Sequence, residues 1–305
     1  GVGTPSYISK YVDDSDLLLM LGVELSEIVT EGFTKYSFPK MRQKLVHVHP
    51  DEQELGRVYQ PDLAIHSGMV EFVDLLVKQD FVRHSDNSKA LKAMRADYIN
   101  FTSPTSCPGE VHIGEIMSWL DKRLPSDTFI SCGAGNYTHW LLRFIKHREY
   151  ATQLAPLGAV MGYGVPAAIA ASIEFPERIS IAFAGDGCFL MNAQEIATAK
   201  KYNASPIIIV LNNGIYGSIR MHQEREFPTR SIGTDLDNPD FVSYAEAFGI
   251  KGYRVSQTSE FEGVFETALK EEGPSLIELV VSEEAISPAF TLSELVEQSL
   301  KKKAN

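Results

Sequence analysis

Apolar residues along the chain gather in short unbroken runs. Ile179–Ala184 is apolar but for Ser180, and Pro206–Leu211 carries five aliphatic side chains in a row. Runs of this length, closed by Gly, Asn or Pro, read as strands buried on both faces of a parallel sheet. Thr128–Cys132, Tyr253–Val255 and Ser275–Val281 extend the pattern. Helical spacing lies between them, over Val111–Leu124, Thr138–Lys146, about Asn192–Lys201, Asp240–Phe248 and Ser259–Lys270. Strands alternating with helices predict an α/β fold of doubly wound parallel sheets.

The first third repeats the pattern on a smaller scale. A small-residue segment leads into a strand at Asp16–Gly22, followed by strands at Leu45–Val48 and Leu63–Ile65 and a helix over Gly68–Lys78. This is half of a doubly wound domain, assigned to residues 1–82. A polar connector, 83–109, holds a short helix near Lys89–Tyr98 and is broken by Ser103-Pro104 and Cys107-Pro108-Gly109. A second domain covers 110–290, and a tail, 291–305, reads as a short frayed helix ending in three lysines. Phe227–Asn238, rich in Pro, Gly and Asp, reads as a mobile loop.

Composition removes several classes of function. The net charge of −12 over 305 residues opposes binding to nucleic acid or to an anionic membrane surface. No apolar run approaches a membrane span, and GVGTPSYISK has no apolar signal core. Cys107, Cys132 and Cys188 are odd in number and widely spaced, as reduced thiols of a cytoplasmic protein are. His47 and His49 alternate on one strand and share a face. A metal pair there would need a third ligand, and none is near in sequence, so they read as polar side chains entering a loop.

The candidate chemistry sits where two strands end. Gly185-Asp186-Gly187 closes one strand, and Asn212-Asn213-Gly214 closes the next. If the two strands are neighbours, Asp186 and Asn213 come together. A carboxylate, an amide oxygen and a backbone carbonyl form a hard oxygen set with positions left open, which suits Mg²⁺ shared with a phosphate. The glycines allow close backbone approach, and a following helix would offer N–H groups to an anion.

GDG, then the 24 residues 188–211, then Asn-Asn resembles the thiamine diphosphate motif. By it the chain resembles the acetolactate synthase and 2-oxo acid decarboxylase family, from Leu17–Gly22 to about Pro288. The resemblance implies a partial Rossmann-like middle domain followed by a thiamine diphosphate-binding domain. It implies Mg²⁺ ligands at Asp186, Asn213 and the main-chain oxygen of Ile215. Gly185, Gly187 and Cys188 belong to the same turn, and Tyr216 and Gly217 border the cleft. Asn136 and Tyr137 fall in a turn that touches the diphosphate, with His139 one turn on, a candidate or a packing residue. The Ala159 position, often Gly in the family, gives a backbone carbonyl to the aminopyrimidine. Met161 wedges between the cofactor's rings or simply packs in the core. His222, Gln223 and Glu224 meet substrate, close a lid or form a solvated helix end. The stretch where some members bind FAD reads Val23-Glu24-Leu25-Ser26-Glu27 here and gives FAD no support.

The implied reaction is decarboxylation of a 2-oxo acid, carboligation, or both. The glutamate that activates the cofactor lies in a separate pyrimidine-binding domain, so no catalytic acid or base is assigned in this chain. The expectation is that another chain or a further segment supplies that half, in a homodimer or tetramer. The alternatives are a 2-hydroxyacyl-CoA lyase and a non-catalytic cofactor-binding fragment.

Overall fold

The computed structural model describes residues 4–80 and 88–304. Two compact units divide the chain, 1–100 and 101–305, and the division falls inside the segment read as a connector. In the first unit, α1 (Ser6–Asp14) precedes β1 (Leu17–Leu21), β2 (Lys44–His49), β3 (Leu63–His66) and α2 (Met69–Leu76). A further helix, α3 (Ser88–Phe101), runs through the division. The three strands form one parallel sheet in the order β1-β2-β3. Sequence periodicity did not anticipate α1. His47 and His49 are buried and turned into loops: a ring nitrogen of His47 meets the Val23 carbonyl at 2.8 Å, and the Asp51 N–H donates to His49 at 3.0 Å. Among the described residues no cluster of three His, Cys, Asp or Glu side chains is placed to hold a metal.

The second unit runs α4 (Ile113–Arg123), β4 (Phe129–Cys132), α5 (Tyr137–Phe144), β5 (Gln153–Leu154), α6 (Gly164–Glu174) and β6 (Ser180–Gly185). It continues with α7 (Asp186–Phe189), α8 (Ile196–Lys201), β7 (Ile207–Asn212), α9 (Gly217–Glu226), α10 (Phe241–Ala247) and β8 (Lys251–Val255), and ends with α11 (Phe261–Ala268), β9 (Ser275–Val280) and α12 (Leu292–Ala304). Six parallel strands are ordered β5-β4-β6-β7-β9-β8. The first five residues of β6, β7 and β9 are all buried, because helices interleave with a sheet that pairs on both edges of each of these strands. Phe183 lies fully buried on β6, and Phe189 packs edge-on against Phe241 with ring centroids 5.5 Å apart.

Local chemistry sets the element ends. The Asp240 carboxylate accepts from the Ser243 N–H at 2.7 Å and caps α10. Gly249, at φ 68°, closes the same helix, with the Ile250 N–H returning to the Ala245 carbonyl. The helix expected over Asn192–Lys201 is split. One turn forms at Asp186–Phe189, a 3₁₀ turn at Ala193–Glu195, and α8 proper starts at Ile196. The helix that directly follows Gly185 is thus a single turn, which sums few peptide dipoles.

The tail is the helix expected there, ending in exposed lysines, but it is longer than expected. It forms a helix of 13 residues, and Leu292 and Leu295 bury against Ile215, Met221 and Ile286. Two of these contacts arise from elements far away in sequence, so the polar-looking tail carries no local sign of them. Among the described residues no helix is long and apolar enough to cross a membrane.

Leu295→Ala is expected to destabilise the protein by about 2 kcal/mol in urea unfolding, because it empties a buried contact. Leu300, on the same helix but 46% exposed, is expected to tolerate Ala within about 0.5 kcal/mol. Equal effects would contradict the docking of α12.

Candidate active site

From β4 the chain turns to β5 on one side, and from β6 it turns to β7 on the other. The connections diverge, so a crevice opens at the carboxyl ends of β4 and β6, where parallel sheets take ligands. A cleft of about 230 Å³ lies there.

Register brings the polar strand ends together. Gly185 pairs with Leu211 across β6 and β7, so Asp186 and Asn213 leave adjacent strands almost level. The structure brings both to the cleft wall, with Gly185, Gly187 and Cys188 on one side and Ile215, Tyr216 and Gly217 on the other. Asn136 and Tyr137 line it from the turn after β4, and Ala159 and Met161 from the glycine-dense segment before α6. These twelve residues thus share one cleft. His139, His222, Gln223 and Glu224 are not in its lining.

Asp186 is the electrostatic centre. It is 3% exposed, and among the described residues no cationic side chain pairs with it. Its Oδ2 accepts from the Gly214 N–H and from Asn238 Nδ2, each at 2.8 Å. Its Oδ1 accepts from the Gly187 N–H, at 2.8 Å. Burial pushes the carboxyl up from its ordinary value, and the donated hydrogen bonds oppose the push. A buried carboxylate with donors but no countercharge is costly by itself. A divalent cation would balance it, and Oδ1 retains the free lone pairs to bind one. The Asn213 side-chain oxygen, which takes one long bond of 3.3 Å from the Ile215 N–H, and the Ile215 carbonyl complete a hard oxygen set. The donor chemistry of the cleft therefore fits Mg²⁺.

The glycines are there because loops crowd. A Cβ on Gly133 would lie 2.6 Å from Cys188 Sγ and 3.2 Å from the Val160 carbonyl. One on Gly187 would lie 2.5 Å from the Tyr216 ring. Ala159 sits at φ 50°, in the left-handed region, which is the physical reason a glycine suits that position. Tyr137 clasps the turns: its hydroxyl accepts from the Gly133 N–H at 2.8 Å and meets Cys188 Sγ at 3.4 Å. Burial, with Cys188 close by, pushes the Tyr137 phenol far up and Cys132 to about 11, so both stay protonated. Asn136 is engaged inside the protein. Its Oδ1 accepts from the Ser218 hydroxyl at 2.7 Å, and its Nδ2 donates to the Ile286 carbonyl at 3.1 Å.

Gln223 and Glu224 do not line the cleft, and Glu224 is not a solvated helix end. Glu224 is buried and accepts from the Thr229 N–H at 2.6 Å and from the Ser231 hydroxyl. Gln223 exchanges two hydrogen bonds with the backbone of Ile232. Both tie α9 to the loop at 227–238. Sequence reading missed Asn238, Glu278 and Ile286. Glu278 alone left a signal: it is a charge inside the apolar run Ser275–Val280, which needs a partner when buried.

Gly133→Ala is expected to destabilise the protein by about 1–3 kcal/mol, since the methyl has no room. Cys188→Ala in the same chain should return part of that loss by removing the sulfur. Thermal melts of the single and double variants decide it, and strict additivity would contradict the contact.

Two family descriptions match the chain. Residues 1–76 match the thiamine pyrophosphate enzyme central domain, and residues 133–279 match the thiamine pyrophosphate enzyme C-terminal TPP binding domain. The acetolactate synthase isozyme 2 large subunit of Escherichia coli (strain K12) is 26% identical over 299 residues, covering 94% of this chain and 52% of that protein. The chloroplastic acetolactate synthase 2 of Nicotiana tabacum is 29% identical over 296 residues, covering 90% and 43%. The mitochondrial acetolactate synthase of Schizosaccharomyces pombe is 28% identical over 305 residues, covering 93% and 44%. The chain spans about half the length of these relatives. With a parallel sheet open at β4 and β6 and both domain descriptions in sequence order, the chain belongs to the thiamine pyrophosphate enzymes, with their central domain followed by their C-terminal TPP binding domain.

Proposed function

We propose that the protein takes part in thiamine diphosphate- and Mg²⁺-dependent decarboxylation of a 2-oxo acid and in carboligation of the product, as an acetolactate synthase-like enzyme. The observation that carries this reading is the buried Asp186 carboxylate, with no cationic partner among the described residues, at a cleft that it shares with Asn213 and Ile215. In it, Asp186 Oδ1, Asn213 Oδ1 and the Ile215 carbonyl hold Mg²⁺. The turn Gly185–Cys188 and the turn at Asn136–Tyr137 receive the diphosphate by close backbone approach. Ala159 offers its carbonyl to the aminopyrimidine, and Met161, half-buried against the core, shapes the space between the cofactor's rings. When bound, the cofactor supplies the nucleophilic carbon and the electron sink for loss of CO₂. Ile113, Trp140 and Val281 line the cleft with apolar surface and exclude water, which strengthens the polar contacts inside.

In this reading the pyrimidine-binding half, with its activating glutamate, is supplied by a further segment or another chain. A dimer or tetramer then completes the site. Half-exposed Leu17, Leu19 and Leu63 on the strands of the first unit leave apolar surface for such a partner. The three described cysteines are free and buried, which suits a reducing compartment such as the cytoplasm.

Calorimetric titration with thiamine diphosphate tests the cradle. Binding is expected to require Mg²⁺, and Asp186→Ala is expected to weaken it by about 100-fold or more, since a first ligand is lost. Unchanged affinity in that variant would remove the assignment. CO₂ release from pyruvate is expected from an assembly that carries the pyrimidine-binding half and not from residues 1–305 alone. Release by the 305-residue chain would contradict the assignment of the activating group elsewhere.

A further inference from the structure

Asp186 is held by a chain of polar groups that reaches across the sheet. Asn238 Nδ2 donates both to Asp186 Oδ2, at 2.8 Å, and to Asn212 Oδ1, at 2.9 Å. Asn212 Nδ2 donates to Glu278 Oε1 at 2.7 Å. Glu278 Oε2 accepts from Arg254 Nε at 2.7 Å, and Arg254 Nη2 donates to Asp240 Oδ2, also at 2.7 Å. Asp240 lies two residues past Asn238, so the chain of contacts closes on its own backbone. It ties β7, β9, β8 and the start of α10 to one oxygen of Asp186.

The arrangement has a direction. Asn238 Oδ1 is buried, with no partner among the described residues. Leaving an acceptor bare is unfavourable, so the oxygen does not set how this amide lies. Turned over, the amide would aim that oxygen at Asp186 Oδ2 and Asn212 Oδ1, which are both acceptors. Its two N–H groups therefore fix its orientation. Glu278 is 3% exposed in the middle of β9, where an apolar residue would serve the sheet as well. What the charge achieves is to fix Asn212, and through it Asn238. Together with the Gly214 N–H, Asn238 fills the acceptor positions of Oδ2 and leaves Oδ1 for a metal.

We infer that Asn238 is a positioning residue for the metal-binding carboxylate of Asp186, held in place by the chain Asn212–Glu278–Arg254. The inference rests on the reading of Asp186 as a Mg²⁺ ligand. Partners that orient a ligating carboxylate act on metal affinity, and their loss costs about 10–100-fold.

The test is thiamine diphosphate binding to the full chain across a Mg²⁺ series, for wild type, Asn238→Ala and Glu278→Gln. The Mg²⁺ concentration at half-saturation is expected to rise about 10–100-fold in Asn238→Ala and in the same direction in Glu278→Gln. Thiamine diphosphate affinity at saturating Mg²⁺ is expected to stay within about twofold of wild type, since the cofactor's own contacts are untouched. A residue that only braced the loop would weaken cofactor binding at every Mg²⁺ concentration, and that result overturns the inference. Glu278→Gln keeps its shape and carries the test should Asn238→Ala fail to fold. Wild-type Mg²⁺ dependence in the folded variants overturns the inference and leaves Asp186 as a ligand. Absence of any Mg²⁺-dependent binding in wild type overturns both.

Discussion

The register between β6 and β7 is the constraint on which the site depends. Parallel pairing sets Gly185 opposite Leu211, and everything at the cleft follows from that alignment. A shift by one residue would turn each buried side chain to the other face of the sheet. It would also separate Asp186 from the Gly214 N–H that now lies 2.8 Å from its Oδ2. The buried aliphatic runs of both strands make such a slip costly. The sheet core thus sets the distance between the two polar strand ends, and the glycine-rich turns only have to leave room.

Stability and function pull in different directions at this point. A buried carboxylate and a buried asparagine oxygen that find no countercharge and no donor among the described residues, and an alanine at φ 50°, are each unfavourable alone. All three lie on or next to one cleft, while the surrounding sheet is apolar and well filled. Local rules broken together at one place are what a site shaped for a ligand would show. The same cleft is closed on its far side by Ile286, whose carbonyl holds Asn136 and whose side chain joins the apolar cluster under α12. The C-terminal helix is therefore part of the frame of the site.

Much of this was legible in the residues, and what was not has a physical reason. The strands could be read because a sheet covered on both faces needs continuous apolar runs, as in Ile207–Leu211. GDG and Asn-Asn could be read because their spacing encodes one helix and one strand, which fixes where the two turns meet. Elements stabilised mainly by distant partners left weaker traces. β5 is two residues long and exists only by pairing with β4. Leu292 and Leu295 look like an ordinary helix face until Met221 and Ile286 meet them. Asn238 is 52 residues from Asp186, and its donor role depends on the return of the loop at 227–238, which Gln223 and Glu224 hold. Spacing carries no record of such a return.

Asp186, Asn213 and Ile215 are proposed to form one divalent-cation site at the mouth of the β4–β6 crevice. Anomalous diffraction from crystals grown with thiamine diphosphate and Mn²⁺ in place of Mg²⁺ tests it most directly. A single manganese peak is expected within about 2.0–2.4 Å of Asp186 Oδ1, the Asn213 side-chain oxygen and the Ile215 carbonyl, as for a hard cation on oxygen ligands. Ordered cofactor in the cleft with manganese elsewhere, or with Asp186 still held only by N–H donors, would contradict it.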